Sequence, residues 1–237
     1  MSLLQRLFPQ QASISRREML YSALAAGIAI SLNAWVSHSL LPGDYRIFLA
    51  ASMGASTILA IAVHHSPLSQ PWAIIGGHLA GALSGLLAAA LLAANPVLAC
   101  MLAMTLTVLI QIPLRCLHAP GGGTALLPIL GGAVLQAAGL GFVAVVLLNA
   151  LLLVAIAMLF NNLLPGRRYP LAFAPPPLQP ARRVFREEDL LAALRSMEAY
   201  VDVSPDDLER IYEHARNHLR AHHDGVVDLR GKQPERV

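Results

Sequence analysis

The stretch RCLHAPGGGTALLPILGG, Arg115 to Gly132, sets one arginine, one histidine, two prolines and five glycines in the middle of a chain that is otherwise almost unbroken hydrocarbon. Backbone breakers and a fixed charge are costly inside a bilayer, where every freed N–H and C=O has to find a partner within the protein. Outward from this stretch the charge almost vanishes. Between Arg46 and Arg167 the only Lys, Arg, Asp or Glu is Arg115. Over the whole chain 56% of residues are hydrophobic and 13% charged, too few charges for the surface of a soluble core of this length, so the sequence reads as an all-α, polytopic protein of the lipid bilayer.

Six apolar segments are legible: Met19 to Leu41, Tyr45 to Val63, Trp72 to Ala94, Pro96 to Leu114, Gly121 to Ala138 and Gly141 to Leu163. The second and fifth are short and carry small-residue clusters, MGAST (Met53 to Thr57) and GGGT (Gly121 to Thr124), which predict helices that are broken or re-entrant. Arg6, Arg16 and Arg17 precede the first segment and Arg167, Arg168, Arg182 and Arg183 follow the last, which places both termini in the cytoplasm by the positive-inside rule. The pair Arg16-Arg17 ahead of an apolar run also resembles a twin-arginine export signal, but with five more apolar segments behind it an anchor is the better reading.

The chain divides accordingly into a cytoplasmic N-terminal segment (1–18), a transmembrane domain (19–165), an Arg/Pro-rich linker (166–184) containing APPPLQP, a helical hairpin (185–223) and a tail (224–237). In the hairpin Leu190, Leu191, Leu194, Met197 and Val201 fall at helical spacing, and Ser204-Pro205-Asp206-Asp207 is a helix start. The sequence also echoes itself. MGASTILAI from Met53 and GGGTALLPI from Gly121 match as small, small, hydroxyl, then aliphatics, and an arginine precedes each, Arg46 and Arg115. Two units of three segments would stand inverted in the membrane, a 3+3 inverted repeat whose broken helices meet near the midplane, as in secondary transporters.

Bare N–H groups at a helix start suit a small anion. That expectation assigns a site to Gly54, Ala55, Ser56, Gly121, Gly122, Gly123 and Thr124, with Arg46 and Arg115 attracting the ligand; the competing role for such clusters is close helix packing. An ionisable group within the membrane is a functional candidate, so His118 and His78 join the set, with Asn149 as a deep polar group. His64 and His65 lie in a turn and are expected to be solvated. His214, His218 and His222 recur every four residues without a carboxylate or thiolate beside them, a solvated face rather than a metal site. Cys100 and Cys116 read as buried free thiols. No cofactor or metal is implied. Nucleic acid is excluded as a partner, for want of a basic stripe, and enzymes by the lack of a G-x-S-x-G, a P-loop or paired membrane carboxylates. A homo-oligomer is compatible with this composition.

SPLSQPWAIIGGHLAG (Ser66 to Gly81), LHAPGGGTALLPILGG (Leu117 to Gly132) and NNLLPGRRYP (Asn161 to Pro170) resemble the HPP family of integral membrane proteins. Its naming His-Pro-Pro motif reads His118-Ala119-Pro120 here, the first proline replaced. The resemblance implies about four spanning helices, fewer than the six apolar segments. It also implies a link to nitrite, which plastid and cyanobacterial relatives have been connected with transporting; some bacterial members carry cytoplasmic regulatory domains. The sequence is thus expected to encode a transporter or channel for a small inorganic anion such as nitrite in a bacterial inner membrane, with His118 coupling to protons or ordering the turn. The alternative is a membrane sensor or scaffold that signals through the hairpin.

Overall fold

The computed structural model describes residues 15–40, 46–164 and 167–173, the side chains of Ser37 and of 46–50 excepted. The chain divides into two compact units, and all described residues belong to the first, Met1–Ala181 with Glu198–Val201. The expected hairpin, the tail, most of the linker and the Arg46 side chain lie outside the described residues.

Seven α-helices and no strand occur among the described residues: α1 (Arg16–Leu40), α2 (Arg46–Ala62), α3 (Pro71–Leu91), α4 (Pro96–Gln111), α5 (Ala119–Leu130), α6 (Gly132–Ala138) and α7 (Leu140–Leu163). The helix starts follow local chemistry. Pro71 and Pro96 occupy first-turn positions where no N–H is needed, and Asn95 caps α4 by accepting from the Leu98 N–H at 3.1 Å. Three helices, α1, α3 and α7, are long and apolar enough to cross a membrane, or four if the bent pair α5 and α6 counts as one span. With 17 and 16 residues, α2 and α4 fall short of the roughly 20 that a full crossing needs.

All six apolar segments are helical, but the expected pair of glycine-broken helices is not what the structure shows. Helix α2 runs unbroken through Gly54, because one glycine in an otherwise strong helical run lowers stability without removing a hydrogen bond. The Gly121–Gly123 run is the first turn of α5 rather than a gap. The break comes later, where α5 and α6 meet at 109° and Gly132 has φ 59°, a conformation that a side chain would oppose. Only the fifth segment is bent, so no matching pair of broken helices supports the 3+3 repeat.

Small residues fill the interior and large ones face outward. Ala25, Ala29, Ala60, Ala82, Ala88, Ala103 and Ala125 are buried, whereas Leu24, Trp35, Leu83, Leu87, Val97, Met101 and Leu109 are exposed, the distribution of a bundle whose solvent is lipid. The closest contact joins α3 to α5. A Cβ added at Gly81 or Gly85 would enter the van der Waals envelope of the Gly121 or Ala125 carbonyl, and one at Gly77 or Gly121 would collide with His118 Cβ or the Gly77 carbonyl. Glycines at 77, 81 and 85 form one face of α3, so two backbones meet with no side chain between them.

The start of α1 and the end of α7 lie together, tied by Arg167. This guanidinium is buried, pairs with Glu18, and donates to Ser22 Oγ at 2.7 Å, Asn161 Oδ1 at 2.7 Å and the Ile61 carbonyl at 3.0 Å. Tyr169 closes the same end by donating to the Ser69 carbonyl at 2.7 Å. Contrary to the expectation of solvated side chains, His64 is buried and His65 half-buried, their rings 3.9 Å apart. They follow α2 in a turn that folds under Arg167 and the α3 start. Burial, then the neighbouring His65 and Arg167, hold the His64 imidazole down to about 3.

Two outcomes follow for the purified protein in detergent. Gly81→Ala should lower stability by roughly 3 kcal/mol or more because backbone, not a flexible side chain, opposes the new methyl, whereas Gly27→Ala, with nothing within 4 Å, should be neutral or slightly stabilising. Thermal unfolding distinguishes them. His64 binds its proton more weakly folded than unfolded, so its contribution is intact above pH 6.5 and is lost as pH falls toward about 3, at up to about 1.4 kcal/mol per pH unit. A His64→Leu variant should therefore gain stability relative to the parent as unfolding is repeated at lower pH.

Candidate functional site

Where α2, α3 and α5 converge, five polar side chains meet. Ser52 and Ser56 stand four residues apart on one face of α2, His78 comes from the middle of α3, Thr124 from the second turn of α5, and His118 from the residue before α5. Four of them are completely buried, and Ser52 is 7% exposed. Ser56 Oγ lies 2.7 Å from His78 Nε2 and 2.8 Å from His118 Nε2, so a single hydroxyl bridges two imidazoles. On the other side of its ring, His78 Nδ1 is 2.7 Å from Thr124 Oγ1, which is 3.0 Å from Ser52 Oγ. His118 Nδ1 donates to the Leu68 carbonyl at 2.8 Å, in the short 3-10 turn Pro67–Ser69. The two rings stand edge to face, centroids 5.0 Å apart.

The glycine contact makes this meeting geometrically available. With no Cβ at Gly77, the His118 backbone can lie against α3, and a third residue fixes it there. Gln111, at the end of α4, donates through Nε2 to the Gly77 carbonyl at 3.0 Å and accepts the His118 N–H at 3.1 Å. A continuous chain of hydrogen bonds in a water-poor interior is costly if any member is left unpaired. None of the described hydrogen bonds of His78, His118, Ser56 or Thr124 goes to a charged group. The arrangement can therefore hold, orient and pass protons. A metal would find only two imidazoles here, and no group of three or more His, Cys, Asp or Glu suited to one occurs among the described residues.

Of the residues expected from the sequence, Ser56, His78, His118 and Thr124 are brought together. Gly121 and Gly122 are buried in packing, the first against Gly77, the second where an added Cβ would stand 3.0 Å from Met104 Cε. Gly123 is exposed at a seam with α2, where its Cβ position is 3.5 Å from Ser52 Cβ. Gly54 lies beside Ile30, and Ala55 is exposed. Arg115 is exposed in the α4–α5 turn, at φ 53°, apart from the histidine cluster. Asn149 is buried and donates to the Val145 carbonyl of its own helix at 2.9 Å. Ser52, Gln111 and the Leu68 carbonyl were not legible as site members. Ser52 could have been found as the hydroxyl one turn before Ser56, and Gln111 as the lone amide closing an apolar helix. Cys100 and Cys116 are both free thiols, Cys116 fully buried beside Gly76.

Similarity to known proteins covers this region. The family described as HPP, transmembrane region, matches residues 11–170. A Dictyostelium discoideum transmembrane protein is 35% identical over 127 residues, 52% of this chain and 44% of the relative, and a second is 31% identical over 157 residues, 65% and 50% respectively. The chain thus spans about half the length of the curated relatives it matches. No solved structure matches.

Gln111→Leu should strip the Gly77 carbonyl and the His118 N–H of their partner, at a cost of roughly 2 kcal/mol, and loosen the 112–118 turn. Maleimide labelling followed by mass spectrometry should then show Cys116 reacting faster than in the parent, with Cys100 unchanged.

Proposed function

The chain belongs to the HPP transmembrane family, and on that premise we propose that this membrane protein moves a small inorganic anion, nitrite among them, together with protons. The observation that carries the reading is the Ser56 hydroxyl bridging two buried imidazoles between helices that are otherwise hydrocarbon. Such a group is expensive to keep in a bilayer unless it is used. A cation substrate is less well served, because Glu18 is the only carboxylate among the described residues and Arg167 already engages it.

In this reading the anion passes along the seam between α2 and α5, where Gly123 leaves bare backbone next to Ser52. The relay beside it supplies the proton that lets a charged species cross as a neutral pair. Arg115 acts at the entrance only, raising the local anion concentration from an exposed position. Arg46, Gly54, Ala55 and Asn149 keep supporting places at most. A bacterial inner membrane, with both flanks of the apolar region on the cytoplasmic side, is the location this reading takes; the flanking arginines and the Arg167 tie between the start of α1 and the end of α7 support the two flanks lying on one side.

Uptake of nitrite into proteoliposomes at neutral pH tests the proposal. The parent should exceed empty liposomes and respond to an inward proton gradient. Gly123→Ala should fold and transport, since its methyl would meet Ser52 at an ordinary 3.5 Å, while Gly123→Leu should fill the seam and reduce uptake to the background. Arg115→Gln should slow uptake without abolishing it. A well-folded parent that moves no anion would favour the sensor or scaffold.

A further inference from the structure

We propose that Ser52, Thr124, His78, Ser56 and His118 form a relay for a single proton, with its hydrogen-bond direction set by the Leu68 carbonyl and reversed when a proton enters at Ser52. Its use in transport rests on the function proposed above; its geometry does not.

The direction follows from counting hydrogens, starting at the one partner whose role is fixed. A carbonyl can only accept, so His118 carries a hydrogen on Nδ1. In the neutral ring Nε2 is then bare, and Ser56, at 2.8 Å, donates to it. Ser56 has no second hydrogen, so toward His78 its oxygen accepts, and His78 carries its hydrogen on Nε2 at 2.7 Å. That leaves His78 Nδ1 bare to accept from Thr124 at 2.7 Å, and Thr124 in turn accepts from Ser52 at 3.0 Å. Moving the His78 hydrogen to Nδ1 would face two bare nitrogens with the single Ser56 hydrogen. Turning that hydrogen to the Ser52 carbonyl, 3.2 Å away, would strand His118 Nε2. With both rings neutral, only one arrangement leaves neither ring unpaired, and in it the histidines are opposite tautomers.

Proton uptake converts this arrangement into its mirror. Ser52 is the least buried member, 7% exposed while the other four are fully buried, and the relay takes its proton there. A hydronium ion gives a proton to Ser52 Oγ and leaves as water, and Ser52 passes its own hydrogen to Thr124. Thr124 passes its hydrogen to His78 Nδ1, His78 passes Nε2–H to Ser56, and Ser56 passes its hydrogen to His118 Nε2. One proton has entered, four have shifted along existing hydrogen bonds, and the positive charge rests on His118 with both ring nitrogens protonated. Every bond between Ser52 and His118 now points the other way. Onward release requires the Nδ1 proton to leave the Leu68 carbonyl, so the 3-10 turn acts as the gate. The described elements packed on the relay offer only neutral groups besides its two histidines: the serines of α2, Thr124 of α5, Gln111 of α4 and the Leu68 carbonyl.

The test is nitrogen-15 NMR of the full chain in lipid nanodiscs with labelled histidine, alongside nitrite uptake. At neutral pH His118 should be the Nδ1–H tautomer and His78 the Nε2–H tautomer. Thr124→Val keeps the shape but breaks the chain between Ser52 and His78, so stimulation of uptake by a proton gradient should be lost while Ser56 still holds His78 as the Nε2–H tautomer; Thr124→Ser should restore the stimulation. The same tautomer in both rings, or a well-folded Thr124→Val protein with an unchanged gradient response, would overturn the relay. Opposite tautomers in a protein that moves no nitrite would instead uphold the relay and overturn the transport reading.

Discussion

Where α3 crosses α5 no side chain stands between the two backbones, and that contact brings His78, His118 and Thr124 together in the interior. Gly77, Gly81 and Gly85 present a bare face to Gly121 and Ala125, close enough that any Cβ would collide with a carbonyl or with His118. Association of helices in lipid has no hydrophobic drive, so close van der Waals approach and interhelical hydrogen bonds must hold them. The glycine face supplies the first, and by bringing His118 within reach of Ser56 and Leu68 it makes the second available. Packing and site are therefore one construction. Glycines 121 and 122 are buried in packing, whereas Gly123 is exposed beside Ser52.

A second constraint closes the opposite flank. Arg167 draws α1, α2 and the end of α7 together through Glu18, Ser22, Ile61 and Asn161. Its charge was legible in the sequence as one of a flanking cluster, but its environment was not. The exposed member of that pair is Arg168, while Arg167 is spent on an internal ion pair. Since a buried pair gains little over apolar packing but is costly to break by halves, its place is to fix which helix ends lie together. The turn beneath it, from His64 to Gln70, carries the Leu68 carbonyl that fixes the His118 tautomer, so this flank and the relay share a loop.

The helical, membrane-bound nature of the chain was legible because apolar segments of this length have few other uses, and His78, His118, Ser56 and Thr124 were legible because polar groups stand out against hydrocarbon. The inference from glycine to a break held for the fifth segment as a whole, which is bent by 109°, but not for α2 and not at GGGT itself. In water a glycine run weakens a helix, but inside a bilayer the backbone has no alternative partner, and GGGT simply begins α5. The bend belongs to Gly131-Gly132, where Gly132 takes a positive φ. Arginines 46 and 115 were drawn to the site by sequence proximity to the small-residue clusters; Arg115 instead lies exposed in the turn, since seven residues of separation include the reversal from α4 into α5.

The internal echo between MGASTILAI and GGGTALLPI illustrates how a sequence pattern can be informative without the symmetry that suggested it. Its aligned hydroxyls are Ser56 and Thr124, and these two flank His78, one at each ring nitrogen. Helix α2 ends at the side where α5 begins, so the two hydroxyls, six residues from one end and five from the other, reach the same depth from antiparallel helices. A hydroxyl both donates and accepts, so a pair of them on either side of an imidazole lets the ring keep two hydrogen bonds in either tautomer. Carboxylates there would have fixed a charge, and amides would have fixed a direction. The small residues before each hydroxyl serve different ends: Gly121 and Gly122 admit α3 and α4, whereas Met53 packs into the core and Gly54 turns toward α1. A hydroxyl at each ring nitrogen of His78 is what the two stretches share, while their neighbouring positions follow the separate packing of each helix.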